Sequence, residues 1–119
     1  MKETKTIELK EAINNTYLKT VSAFANFGDG KIYFGITDYG EKKGIDDPRA
    51  ASLNIENQIN DLIKPRPNFH LSIDPDNVII LEVFEGPHKP YLYRNRAYRR
   101  SDTSTVEVDQ MEMKRLVLL

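Results

Sequence analysis

The stretch Val21-Ser-Ala-Phe-Ala-Asn-Phe-Gly-Asp-Gly-Lys-Ile-Tyr-Phe-Gly-Ile-Thr-Asp-Tyr-Gly40 constrains the fold more than any other part of the chain. It reads as the end of a helix, a glycine-rich turn, a buried strand and a second turn closed by Gly40. The small residues Ser22, Ala23 and Ala25 let the helix come close to a sheet. Gly28 and Gly30 offer the positive-φ backbone needed to leave a helix and enter a strand abruptly. The strand Lys31 to Thr37 then delivers Asp38 to an exposed strand end beside a turn, where functional side chains often sit on rigid support.

The flanking segments extend this unit. Thr4 to Lys10 alternates β-branched or apolar residues with charged ones, the pattern of a half-buried strand. Asn14 and Asn15 are suited to cap the first helix, whose inner face carries Leu18, Val21, Phe24 and Ala25. Beyond Asp38, Tyr39 to Ile45 is predicted to reverse tightly into a short strand. Asp46-Asp47-Pro48 opens a second helix with Ile55, Ile59, Leu62 and Ile63 inward, and Pro65 and Pro67 stop it. Phe69 to Ile73 alternates as a strand, Asp74 to Asn77 is a turn, and the apolar run Val78 to Phe84 predicts a strand covered on both faces. Gly86 to Pro90 is a loop. Tyr91–Arg94 and Ala97–Ser101 read as a hairpin around Asn95-Arg96. Asp109 with Glu112 resembles a capping box opening a short last helix.

The order β-α-β-β-α-β-β-β-β-α predicts an α+β fold, with one mixed or mainly antiparallel sheet, two main helices and a short C-terminal helix. Its 119 residues suffice for one domain, 1–119, and show no repeat or linker.

Composition removes whole classes of chemistry. There is no cysteine, which excludes disulfides, thiol catalysis and zinc–thiolate sites. No apolar run approaches 18 residues and no signal-peptide core is present, so a cytoplasmic protein without a membrane partner is expected. The two histidines, His70 and His88, lack metal-ligand spacing, and Gly28-Asp-Gly30 lacks the Lys-Ser/Thr of a P-loop and leads into a strand. With 17 basic and 18 acidic residues, overall charge announces no nucleic-acid partner.

Its distribution is more telling. Gly86 to Arg100 holds Lys89, Arg94, Arg96, Arg99 and Arg100, plus His88, and no carboxylate. Tyr91, Tyr93 and Tyr98 interleave them, giving a ribbon able to neutralise phosphates and stack on unpaired bases. Thr103 and Thr105, with Ser101 and Ser104, would add hydroxyl contacts to phosphate or else cap and turn the chain. The alternative is a solvated edge strand that uses charge against aggregation. Adjacent Arg99 and Arg100 must diverge, leaving one to pair with an acid such as Asp102. The apolar end Leu116-Val-Leu-Leu119 suggests a docked helix, a homodimer contact or a domain within a longer protein.

Five ordered blocks together resemble the Schlafen AlbA-like (AlbA_2) domain family. They are Glu3-Thr4 with Ile7-Glu8-Leu9-Lys10, Ala23-Phe-Ala-Asn26 with the glycine turn, and Ile32-Tyr-Phe-Gly-Ile-Thr-Asp38. Pro65 and His88-Lys-Pro-Tyr91 follow, and Ala97-Tyr-Arg-Arg-Ser-Asp-Thr-Ser-Thr105 closes the set. The resemblance spans essentially the whole chain, with departures at Leu9, Asp29 and Asp102, where Phe, Gly and Gly are usual in the family.

That resemblance implies a nucleic-acid-binding domain, of DNA or RNA, often at the front of bacterial transcriptional regulators. In animal Schlafen proteins that cut RNA it implies a metal-dependent endoribonuclease with three acids, which fall here on Glu3, Glu8 and Asp38 as Mg²⁺ or Mn²⁺ ligands. Hard oxygen ligands suit those ions in phosphodiester cleavage, and Lys10 beside Glu8 would hold the scissile phosphate or stabilise developing charge. Glu3 and Glu8 differ by five, so convergence needs a bend before the strand. Otherwise the three are solvated surface acids, with Asp38 a turn residue. A protein-interaction or dimerisation module is the third expectation.

Overall fold

The computed structural model describes residues 1–119. In chain order the elements begin β1 (Ile7–Lys10), α1 (Tyr17–Phe27), β2 (Gly30–Phe34), α2 (Pro48–Leu62), β3 (Ile63–Lys64) and β4 (Asn68–Ile73). They continue with β5 (Ile79–Phe84), β6 (Leu92–Tyr93), β7 (Tyr98–Ser101), β8 (Ser104–Glu107) and α3 (Gln110–Val117). The fold is α+β, built on a four-stranded mixed sheet of order β1-β2-β5-β4.

Strands β1 and β2 are parallel, and α1 supplies the crossover that parallel neighbours require. The turn after α1 shows why its glycines are needed. Gly28 has φ 152°, but Gly30 is not at positive φ as expected; it is needed because a Cβ there would stand 2.4 Å from the Phe24 ring, so only glycine lets β2 start against the helix. Asp29, between them, accepts the Glu85 amide at 2.7 Å and ties the turn to the end of β5. Asp29 therefore has a structural use in the turn.

Nine of the eleven α1 residues are buried. A helix buried nearly all round must lie between two layers, and it does. One side packs with α2 on Ile32, Phe34, Ile79, Leu81 and Val83 of the sheet, and the other is covered by Tyr91, Tyr93 and Tyr98. The opposite sheet face carries a smaller cluster of Leu9, Ile36 and Val78, so β5 is fully buried on one face and half-covered on the other.

Several local expectations hold. Asp47 caps α2 with Pro48 at its first turn, α2 stops before Pro65, and Asp109 with Glu112 forms a capping box. Four differ. Thr16, not Asn14 or Asn15, precedes α1, and Asn14 instead accepts the Thr16 amide at 3.1 Å. The reversal after Asp38 yields only an isolated bridge between Ile36 and Lys42. Leu62 lies on the outer side of α2. The basic hairpin turns one residue earlier, on Arg94-Asn95, both at positive φ, with Tyr93 and Arg96 exchanging amide bonds at 2.9 and 3.0 Å. Beyond it the strands part, β6 pairing with β3 and β7 with β8.

Candidate nucleic-acid interface

The N-terminal bend exists. Thr4 and Ile7 exchange backbone hydrogen bonds across Lys5-Thr6, which folds Glu3 back along β1, where its Oε2 accepts the Leu9 amide at 3.0 Å. Glu8, one residue before Leu9, points to the α1 side and is almost fully buried. Its Oε1 accepts the Thr20 hydroxyl and the Arg100 Nη1–H, both at 3.0 Å. Arg100 Nη1 also donates to Thr105 Oγ1 at 3.0 Å, and Thr105 lies 2.7 Å from Thr20 Oγ1. Since Thr20 gives its only hydroxyl proton to Glu8, Thr105 donates to Thr20, and the four side chains close a ring. The rest of the guanidinium donates to the carbonyls of Thr4, Lys5 and Ile7.

These partners hold only one oxygen of Glu8, and its Oε2 is buried without a hydrogen-bond partner. Burial pushes its carboxyl above the ordinary range, against the pull of Lys10, Thr20 and Arg100, and the nearby charge of Glu3 adds to the rise. Asp38 is exposed past the end of β2, and no group of three or more His, Cys, Asp or Glu side chains is placed to hold a metal ion. The structure thus brings Glu3 near Glu8 but does not join Asp38 to them as a ligand set. Glu3, Glu8 and Asp38 are not gathered into a divalent-metal centre in this arrangement: one Glu8 oxygen is held by Thr20 and Arg100, the other is buried without a partner, and Asp38 is not grouped with them. Lys10 donates to Thr16 Oγ1 at 3.2 Å and lies toward the start of α1.

The ribbon Gly86–Arg100 divides in the same way. Tyr91 is a core side chain whose hydroxyl accepts the His88 amide at 3.1 Å, Tyr98 is buried, and Arg100 is enclosed by the ring. All three belong to the layer over α1, and of them Tyr98 still lines part of a cleft at the start of that helix. Thr105 is spent in the ring, while Thr103 is exposed in the β7–β8 turn. Lys89 pairs with Glu85. Neither arginine pairs with Asp102: Arg100 takes Glu8, and Arg99 takes Glu112, its Nε lying 2.8 Å from Oε2 although the N–H is not directed along that contact.

What remains is a cleft of roughly 600 Å³ between the start of α1 and the hairpin turn, lined by Asn15, Thr16, Lys19, Tyr93, Arg94, Arg96 and Tyr98. No carboxylate lines it. Arg94 is exposed, has no ionic partner, and rests over the Tyr93 ring at 5.1 Å. Lys19 lies 5.8 Å over Tyr98, so the two tyrosines support the cations from below. Arg96 is held by Glu107 at 2.9 Å, an exposed pair that solvent weakens. With Lys10 bonded to Thr16 at its edge, the strip carries four positive charges. Lys19 belongs to it and is not legible in the basic run, since it comes from a helix some 75 residues earlier; its only signal is that it is the one charged residue of α1.

Likeness to known proteins follows the fold. The chain matches 94% of its length to the crystal structure of the DIP2311 protein from Corynebacterium diphtheriae, with TM-score 0.63 and 17% identity, a likeness of fold. It spans 23% of that protein. It also matches, over 87% of its length, the solution structure of the N-terminal domain of a RecG-related protein from Nitrosomonas europaea, with TM-score 0.57, 26% identity and 83% of that chain covered. No curated protein matches the sequence. No helix is long and apolar enough to cross a membrane. Residues 3–109, a span that runs from the opening bend past the Arg100 strand, match the family described as Schlafen, AlbA_2, and the chain belongs to the Schlafen AlbA_2 family.

Proposed function

We propose that this is a nucleic-acid-binding domain that grips the phosphate backbone in the cleft between α1 and the Arg94-Asn95 turn. The observation that carries this reading is the convergence of Lys19, Arg94 and Arg96 on a cleft without a lining carboxylate. Such a site gains affinity by releasing counterions from phosphates and reads no base directly. The RecG-related neighbour, named for an ATP-dependent DNA helicase, supports a nucleic-acid partner. Within a longer protein, a domain of this kind would hold the chain on DNA or RNA while other parts act, as in a transcriptional regulator. We assign no catalytic step to Glu3, Glu8 and Asp38, and Glu8 serves in this reading as a structural acid.

An NMR titration with a short oligonucleotide tests the reading. Amide shifts should concentrate in Asn15–Lys19 and Tyr93–Tyr98. Shifts centred on β4, or none at low salt, would refute it. Glu107 acts as an internal competitor for Arg96. Glu107→Gln is therefore expected to tighten binding by up to about five-fold, the worth of an exposed ion pair, measured by fluorescence anisotropy.

A further inference from the structure

Thr16, Lys19, Ala23 and Phe27 follow one another at three- and four-residue steps and so share one face of α1. The basic cleft lies at the first end of that face. At the other end is a second cavity of roughly 430 Å³, lined by residues that include Lys5, Phe24, Phe27, Gly28, Arg99 and Glu112. From Lys19 to Phe27 is eight residues, about 12 Å along the helix axis. Strand β7 runs beside both, Tyr98 lining the first opening and Arg99 the second.

The groups in the second cavity are not equally free. Phe24 is buried, and the Arg100 guanidinium sits 5.8 Å from its ring. Phe27 is 45% exposed, so part of its ring is open to the cavity it lines. Above Gly28 a Cβ would meet nothing within 4 Å, so the floor beside Phe27 is open. Lys5 is exposed, and Arg99 is held only by the partly exposed Glu112. The volume falls in the range of small-ligand sites. An apolar ring flanked by two cations suits a group that is flat and apolar on its face and anionic at its edge.

We propose that this cavity takes one unpaired nucleotide of the strand held in the first cleft, with its base against Phe27 and its phosphate between Lys5 and Arg99. The proposal rests on the cleft reading and adds the substrate class, single-stranded rather than duplex nucleic acid. A base paired in a duplex keeps its faces inside the stack and cannot meet Phe27. An unpaired base can, and its fit does not depend on sequence. Phosphate takes Arg99 by displacing Glu112, so the pocket opens to an anion without moving the backbone.

The test uses a fluorescein-labelled oligonucleotide of about 12 nucleotides, within the range covered by small single-strand binders. It is titrated alone and annealed to its complement, in DNA and RNA form. Wild type should prefer the single strand. Phe27→Ala should weaken single-strand binding about five-fold or more and leave duplex binding unchanged, while Phe27→Trp retains the wild-type preference. Phe27 is exposed, so both variants should fold, and melting curves are recorded alongside to check this. Equal binding of single strand by wild type and Phe27→Ala would overturn the proposal and assign Phe27 to a contact with another protein segment. If Lys19→Ala/Arg94→Ala still weakens binding in that case, the cleft reading stands without this pocket. If wild type binds neither form, both fall.

Discussion

Replacing Arg100 by alanine is expected to destabilise the domain by about 3–5 kcal/mol, because it strands a buried carboxylate. The side chains of Glu8 and Arg100 are only 8% and 3% exposed, so neither can turn to water for compensation. The loss corresponds to roughly 10–25 °C in melting temperature for a domain of this size. The same guanidinium holds three carbonyls of the N-terminal bend, so hydrogen exchange at Thr4 and Ile7 should rise with it. Arg99→Ala is the control: a partly exposed pair one residue away should cost at most about 1 kcal/mol. Adding Glu8→Gln to Arg100→Ala should recover part of the loss by removing the orphaned charge.

The pH dependence of this site has an unusual sign. Because the folded pKa of Glu8 is raised, the folded state holds the proton more tightly than the unfolded chain. Its contribution to stability is full below the unfolded value near 4.5 and is lost as pH rises through the folded pKa. The stability of wild type relative to Glu8→Gln should therefore increase on acidification from neutral pH. An ordinary surface ion pair would give the opposite trend.

The second large effect is expected at Asn26. Its Oδ1 accepts the Tyr91 amide at 2.7 Å and its Nδ2 donates to the Tyr91 carbonyl at 2.9 Å, so one side chain satisfies both backbone groups of a buried residue. Ser22 Oγ adds a bond to the same carbonyl and accepts the Tyr98 amide at 3.2 Å. Asn26 thus stands where a strand neighbour would stand, and it fastens the basic layer to α1. Asn26→Ala leaves a buried N–H unpaired and weakens the carbonyl's bonding, at a cost of about 2–4 kcal/mol. Denaturant midpoints would measure it. Since the Tyr93–Arg96 turn follows directly, the variant should also loosen the cleft and lower nucleic-acid affinity.

How much of this was legible in the sequence depends on the distance over which each feature is decided. The capping box of Asp109 and Glu112, the Asp47-Pro48 start of α2 and the glycine turn were readable because their chemistry lies within four residues. The turn on Arg94-Asn95 was missed by one residue, since Asn95 suits either position and the register depends on Tyr93 packing over α1. The Glu8–Arg100 pair joins residues 92 apart in sequence, and no local pattern distinguishes that arginine from Arg99. The tyrosines show the same limit. Their spacing among arginines suits base stacking and core packing equally, and only the layered burial of α1 decides for the core. Lys19 is hidden for the converse reason, being a helix residue distant in sequence from the charged run that it completes in space.

The central claim is that phosphate is held by Lys19, Arg94 and Arg96. Its most direct test is the slope of log affinity against log salt for wild type and for Lys19→Ala/Arg94→Ala. If two phosphate contacts are lost, the slope should become shallower by about 1.4–1.8, with affinity falling uniformly across sequences and the melting temperature unchanged. An unaltered slope in a folded double variant would contradict the claim and move the contact to another face of the domain.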